Sequence, residues 1–155
     1  MSTPAGHVQI VIAYDGSDNA RHAIRAAASL LRGGSTNVVY VWEPLWRAGG
    51  RLAVYGMGDA GVEFEFEDEQ AHAKAEEGAA LARAAGFGAA TSTAIRGLGP
   101  AWATLCDYVN AKQPALVVMG TRGLSGIHGL VAGSVSHGVS AHSHVPVLIV
   151  PPEGH

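Results

Sequence analysis

Short apolar runs rich in β-branched residues alternate along this chain with longer alanine-rich segments. No other feature restricts the fold as much. "HVQIVIA" (7–13), "TNVVYVW" (36–42), the run around "VVMG" (115–120) and "VPVLIV" (145–150) read as strands. Their near-continuous apolar character is what strands covered on both faces require. "TSTAIRG" (91–97) is a more polar strand candidate, expected near a sheet edge. Between the strands, residues 17–34 read as a helix with Ser17 at its N-cap and Gly33 or Gly34 as its stop. Ala20, Ile24, Ala27 and Leu31 share one face of it. Residues 67–86 form the clearest helical segment, ending at Gly86. Residues 100–113 form another, with Pro100 in the first turn and Trp102, Leu105, Cys106 and Val109 on one face. A short helix is predicted over 134–143, starting at Ser134. The order β-α-β-α-β-α-β-α-β implies a mainly parallel sheet with helices packed on it through right-handed crossovers.

Two segments stand outside this scheme. Residues 43–61 form a long glycine-rich connection without a clear period. Residues 61–69, "GVEFEFEDE", alternate like a strand through Val62, Phe64 and Phe66, but are read as the lead-in to the second helix. A chain of 155 residues, 48% hydrophobic and 15% charged, predicts one domain, 1–155, with a sizeable core. The net charge of −3 offers no basic excess for nucleic acid and no polybasic run for anionic lipid. No apolar run approaches the length of a membrane span. The first residues carry no basic region followed by an apolar one, so the expected location is the cytoplasm. The single cysteine, Cys106, excludes an internal disulfide framework and reads as a packed thiol. His128, His137, His142 and His144 crowd the last third. His137 and His142 are five apart, off the spacing that shares a helix face, so no protein-only zinc site is expected.

Residues 119–140, "MGTRGLSGIHGLVAGSVSHGVS", carry the chemistry. They run from the end of a strand to the start of a helix, with glycines spaced as Gly120-x2-Gly123-x9-Gly133, followed by Ser134. A helix N-terminus exposes unpaired N–H groups and the positive end of the helix dipole, so it attracts anions. Gly133 would let a phosphate approach the backbone, with Ser134 and Ser136 as hydroxyl donors. Gly120 and Gly123 would let the turn after the strand come close to a sugar or phosphate. In open parallel sheets, ligands bind beyond the carboxyl ends of the strands, where this stretch should lie. The spacing is neither the P-loop pattern nor the dinucleotide fingerprint, and it has no P-loop lysine.

This spacing closely resembles the nucleotide motif of the ATP-binding branch of the universal stress protein family. "VIAYDGSDNARHAIRAA" resembles that family's first strand, acidic residue and first helix, and "SHVPVLIVP" its last strand. The resemblance implies an α/β fold: an open five-stranded parallel sheet in the order 3-2-1-4-5, with helices on both faces, Rossmann-like. It also implies ATP above the first and fourth strands. Ala13, Tyr14 and Asp15 would line the adenosine end, with Val41 beside the adenine. Met119, Gly120, Arg122 and Gly123 would flank the ribose and phosphates. Gly133, Ser134, Val135 and Ser136 would cradle the phosphates. Asp15 is also the candidate to hold Mg²⁺ through water. Tyr14 stands where the family often carries a smaller polar residue.

The resemblance implies an ATP-binding regulatory or stress-response protein, read by a partner protein or within a homodimer. The dimer would form through the last strand, 145–150, whose apolar edge demands cover. A slow ATPase or phosphotransfer enzyme using the same cradle is the alternative. So is an interaction scaffold with a vestigial nucleotide site.

Overall fold

β1 (Gln9–Ala13) occupies the centre of a parallel sheet, between β2 (Ser35–Trp42) and β4 (Leu116–Gly120). β3 (Ala89–Arg96) pairs with β2 on one side, and β5 (Val147–Val150) pairs with β4 on the other. The resulting order, β3-β2-β1-β4-β5, is the one the resemblance implied. The computed structural model describes residues 9–43, 60–121 and 133–154. The more polar strand predicted near an edge is β3, and it does lie at an edge.

Side-chain alternation along the strands divides the interior in two. Ile10, Ile12 and Tyr14 point to one face, with Val38 and Val118. Val11, Val39, Val117 and Met119 point to the other. The first face is covered by α1 (Asp18–Leu30) and α2 (Ala60–Ala85). The second is covered by α3 (Ala101–Lys112) and α4 (Ser134–His142). Ile10, Ile12, Ile24 and Leu105 are fully enclosed. Each such side chain contributes roughly 1.5–3 kcal/mol relative to exposure.

The helix ends follow local chemistry. Ser17 caps α1, its Oγ accepting from the Ala20 amide at 3.1 Å. Gly33 supplies the positive φ, +76°, beyond its last turn. Ala20, Ile24 and Ala27 are buried on the predicted face. α2 is longer than the 67–86 segment: it takes in the alternating stretch as well and begins at Ala60. From Glu67 onward its buried side chains are small, Ala71, Ala75, Ala79 and Ala82, so this part of its axis lies close to the sheet. At Gly78 the approach is closest, since a Cβ there would sit 2.7 Å from Val38 Cγ1. Pro100 is the N-cap of α3 rather than its first helical residue, so the helix begins one residue later than expected, at Ala101. α3 ends at Gln113 in the left-handed region, φ +50°.

Candidate functional site

β1, β2 and β3 run outward in sequence from the centre to one edge, while β4 and β5 fill the other side. The chain thus switches direction between β1 and β4, and their carboxyl ends part to form a crevice. A cavity of about 680 Å³ opens there, on the α3–α4 side of the sheet. That size suits a small organic ligand.

Every predicted site residue within the described chain lines this cavity. The end of β1 and the turn after it bring Ala13, Tyr14 and Asp15; β2 brings Val41. β4 brings Met119 and Gly120, and the start of α4 brings Gly133, Ser134, Val135 and Ser136. Arg122 and Gly123 lie outside the described residues, as does His128.

The two chain ends that flank residues 122–132 are tied together at the cavity's rim. Thr121 O accepts from the Gly133 amide and from Ser136 Oγ, the latter at 3.1 Å. Ser136 is 2% exposed, and its Oγ also lies 3.0 Å from Gly133 O. Its hydroxyl proton is therefore engaged with the chain's own carbonyls. From the other side, the Thr121 amide donates to Val150 O at 3.1 Å. Asn19, in the first turn of α1, completes the tie: Nδ2 donates to Val150 O and Thr121 Oγ1 donates to Oδ1, both at 3.2 Å. This arrangement explains Gly120. A Cβ there would sit 2.7 Å from Asn19 Cγ, so the space a side chain would fill belongs to Asn19.

Two helix starts at this rim differ in charge. α1 is capped by its own side chains, with Asp15 Oδ1 accepting from the Ser17 amide at 2.9 Å in addition to the Ser17 cap. α4 begins after Gly133, which has no side chain to cap it, and no acidic residue stands in its first turn. The amides of Ser134, Val135 and Ser136 belong to that first turn, where the helix itself supplies no acceptor. These residues line the cavity, which therefore lies at the positive end of the α4 dipole.

Tyr14 meets the cavity but commits its hydroxyl elsewhere. Its side chain lies on the α1–α2 face, 3% exposed, and its hydroxyl donates to Glu77 Oε1 on α2. Arg21 bonds the same carboxylate at 3.1 Å, and Lys74 bonds its second oxygen at 3.3 Å. These donors, Tyr14 first and then Arg21, hold the Glu77 carboxyl at about 2. Burial and the adjacent carboxylate push the Tyr14 phenol up. The cluster fastens the chain just before Asp15 to α2. Cys106 is a packed thiol, 4% exposed, raised by burial.

Three contributors escaped the sequence reading. Glu43 lines the cavity two residues beyond Val41; strand parity, applied one step further, marks it. Asn19 and Thr121 carry no short-range signal, because their roles depend on β4 and β5 lying side by side. A further tie sets α4 itself. Gly138 lets Trp102 of α3 pack against the helix, where a Cβ would stand 2.3 Å from Trp102 Cγ. The Trp102 ring stacks on His142 with centroids 4.6 Å apart.

Residues 8–151 match the sequence profile of the Universal stress protein family. Universal stress protein YxiE of Bacillus subtilis is 31% identical over 150 residues, covering 92% of this chain and 97% of its own. Universal stress protein UspA from Lactobacillus plantarum superposes with a TM-score of 0.71 at 21% identity, covering 94% of this chain and 99% of its own. A universal stress protein solved in complex with cAMP superposes with a TM-score of 0.67 at 22% identity, covering 96% and 100%. No helix among the described residues is long and apolar enough to cross a membrane.

Proposed function

The chain belongs to the universal stress protein family, and from that membership we propose that it is an ATP-binding regulatory protein of the cytoplasm. The phosphates lie against the amides of Ser134, Val135 and Ser136. The adenosine extends over Ala13 toward Val41, along the apolar wall. The carrying observation is a cavity at the β1–β4 switch point whose bordering helix, α4, starts at Gly133 with no side-chain cap from its N-cap residue. A fold neighbour solved with cAMP supports an adenine nucleotide there. The donor set suits phosphate, and Asp15 would hold Mg²⁺ through water. Bound Mg²⁺ would offset the charge between phosphates and carboxylates. Occupancy is read by a partner protein or across a homodimer. The dimer forms through β5, an edge strand whose Val147, Leu148 and Ile149 are only half-buried. Light scattering at micromolar concentration should report two chains.

Calorimetric titration of ATP with Mg²⁺ into nucleotide-stripped protein tests the site, beside Gly133→Asp. Gly133 has φ −57°, which any residue adopts, and aspartate is a favoured N-cap. The variant should therefore fold as well as the natural chain while its carboxylate occupies the amides meant for phosphate. Binding should fall by at least about 10-fold, a loss of roughly 1.4 kcal/mol. Equal binding by both proteins would remove the phosphate assignment. Phosphate release above the Gly133→Asp background, in the same samples, would make the protein a slow ATPase.

A further inference from the structure

Resting on the nucleotide reading above, we infer that Glu43 selects the base: it makes the cavity prefer nucleotides whose base carries an exocyclic amino group. The sheet order fixes the two ends of the cavity. α4 follows β4, and β4 is separated from β2 by β1 alone. Adjacent strands lie about 4.8 Å apart, so the β2 end stands roughly 10 Å from the β4 end. A nucleotide with its phosphates at the start of α4 therefore presents its base at β2. Glu43 follows the last residue of β2, Trp42, and lines the cavity. It shares strand parity with Val39 and Val41, which line the same wall.

Among the described residues, that end is an apolar slot with one anionic acceptor, Glu43, at its mouth. Val39, Val41, Ala13 and Leu105 offer nothing to a polar base edge through their side chains. Among the described lining residues, the carboxylates are Asp15 and Glu43. Asp15 belongs to the β1–α1 turn, where it accepts from the Ser17 amide. Of the two, Glu43 is the one at the β2 end. A carboxylate accepts hydrogen bonds and donates none when ionised. It rewards an N–H at the base edge and opposes a carbonyl or ring-nitrogen lone pair. Its distance from the α4 end also keeps it clear of the phosphates, which it would repel. A site that hydrogen-bonds a ligand N–H rejects the analogue lacking it more strongly than an apolar pocket rejects a missing methylene. Glu43 is exposed, so water competes for its oxygens, and the discrimination should be about 10-fold rather than the larger ratios of a sealed site.

The test compares ATP with purine riboside triphosphate, which differs only in lacking the amino group, each titrated with Mg²⁺ into the natural protein, Glu43→Ala and Glu43→Gln. The natural protein should bind ATP about 10-fold more tightly than the analogue. Glu43→Ala should bring the two affinities within about 2-fold, since the acceptor is gone. Glu43→Gln keeps a carbonyl acceptor and should fall between. Any general gain from removing a negative charge near a triphosphate affects both ligands alike and cancels in the ratio. A natural protein that binds both ligands equally, or a Glu43→Ala ratio unchanged from the natural one, overturns the inference while leaving the nucleotide site standing. If neither ligand binds the natural protein, the nucleotide reading falls and this inference falls with it.

Discussion

Replacing Gly120 by alanine should destabilise the protein through Asn19, and the size of the effect follows from the contacts. Gly120 carries no positive φ, so its backbone would accept a side chain. The obstacle is space: the new Cβ would lie 2.7 Å from Asn19 Cγ and 2.8 Å from Oδ1. Asn19 is 9% exposed and holds Val150 O and Thr121 Oγ1. It cannot retreat without breaking both bonds. Two such bonds contribute about 2 kcal/mol, and their partially desolvated partners raise the cost. With strain from overpacking, Gly120→Ala should cost about 3 kcal/mol. Asn19→Ala removes the same bonds and should cost about 2 kcal/mol. In the double variant the Cβ meets no Asn19 side chain, so the loss should stay near that of Asn19→Ala alone, about 2 kcal/mol rather than about 5 kcal/mol. At roughly 2–4 °C per kcal/mol for a chain of this size, Gly120→Ala should lower Tm by about 6–12 °C. The assay is thermal and urea unfolding of the four proteins by circular dichroism at one concentration, so that any association is held constant. A double variant whose loss equals the sum of the singles within about 0.5 kcal/mol would refute the contact as the cause.

Acid should loosen the α1–α2 side first. Glu77 is held at about 2 against an ordinary value of 4.5, so its contribution is complete above the ordinary value and is lost as pH falls from there toward 2. Its side chain is 38% exposed, so the contribution is screened to about 1 kcal/mol. Urea midpoints of Glu77→Gln and the natural protein should differ near neutrality and converge toward pH 2–3; a constant difference would count against the linkage. At the α3–α4 seam, Gly138→Ala should cost about 1–3 kcal/mol despite alanine's better helix propensity, because Trp102 must move. A Tm within 1 °C of the natural value, by the same scan, would mean that the ring yields freely.

The strands and the helices between them were legible because both kinds of element here carry a local pattern. β1, β2, β4 and β5 are apolar runs, and α1 shows its buried face and its cap in the sequence itself. The lead-in to α2 was harder. A period of two through Val62, Phe64 and Phe66 suits a strand, yet the backbone there is helical and continuous with the alanine-lined part of α2. Polar residues inside strands were opaque for a different reason. Asn37 is 6% exposed, and its Nδ2 reaches Thr91 and Thr93 while Tyr108 donates to its Oδ1. That satisfaction depends on the β2–β3 register, Asn37 opposite Thr91, which no window of the sequence contains. At the candidate site, the motif residues were readable and their supports were not. Glycine spacing marks where backbone must come close to something. It does not say that at Gly120 and Gly138 the something is Asn19 and Trp102.

That distinction bears on how an anion site is specified in a sheet of this kind. Each helix that follows a strand begins at the carboxyl edge, so several positive helix ends border one crevice. Glycine alone cannot choose among them. The choice lies in which helix end the protein has already served. At α1, Ser17 and Asp15 take up amides, and Asp15 and Asp18 add negative charge. At α3, Pro100 supplies no side-chain cap either, but the Ala103 amide turns back to its carbonyl at 3.0 Å, beside the ordinary helical bond from Thr104 at 3.2 Å. At α4, Ser136 turns its hydroxyl back to Thr121 O and Gly133 O, which fixes the turn without capping it. Thr121, itself held by Asn19, and Trp102 against Gly138 fix α4 in place, yet none of these interactions puts an acceptor on its first-turn amides. A rigidly held helix start that no side chain of the described residues caps retains its attraction for an anion. The same logic makes Gly133→Asp the sharper perturbation: it would give α4 the cap that α1 already has.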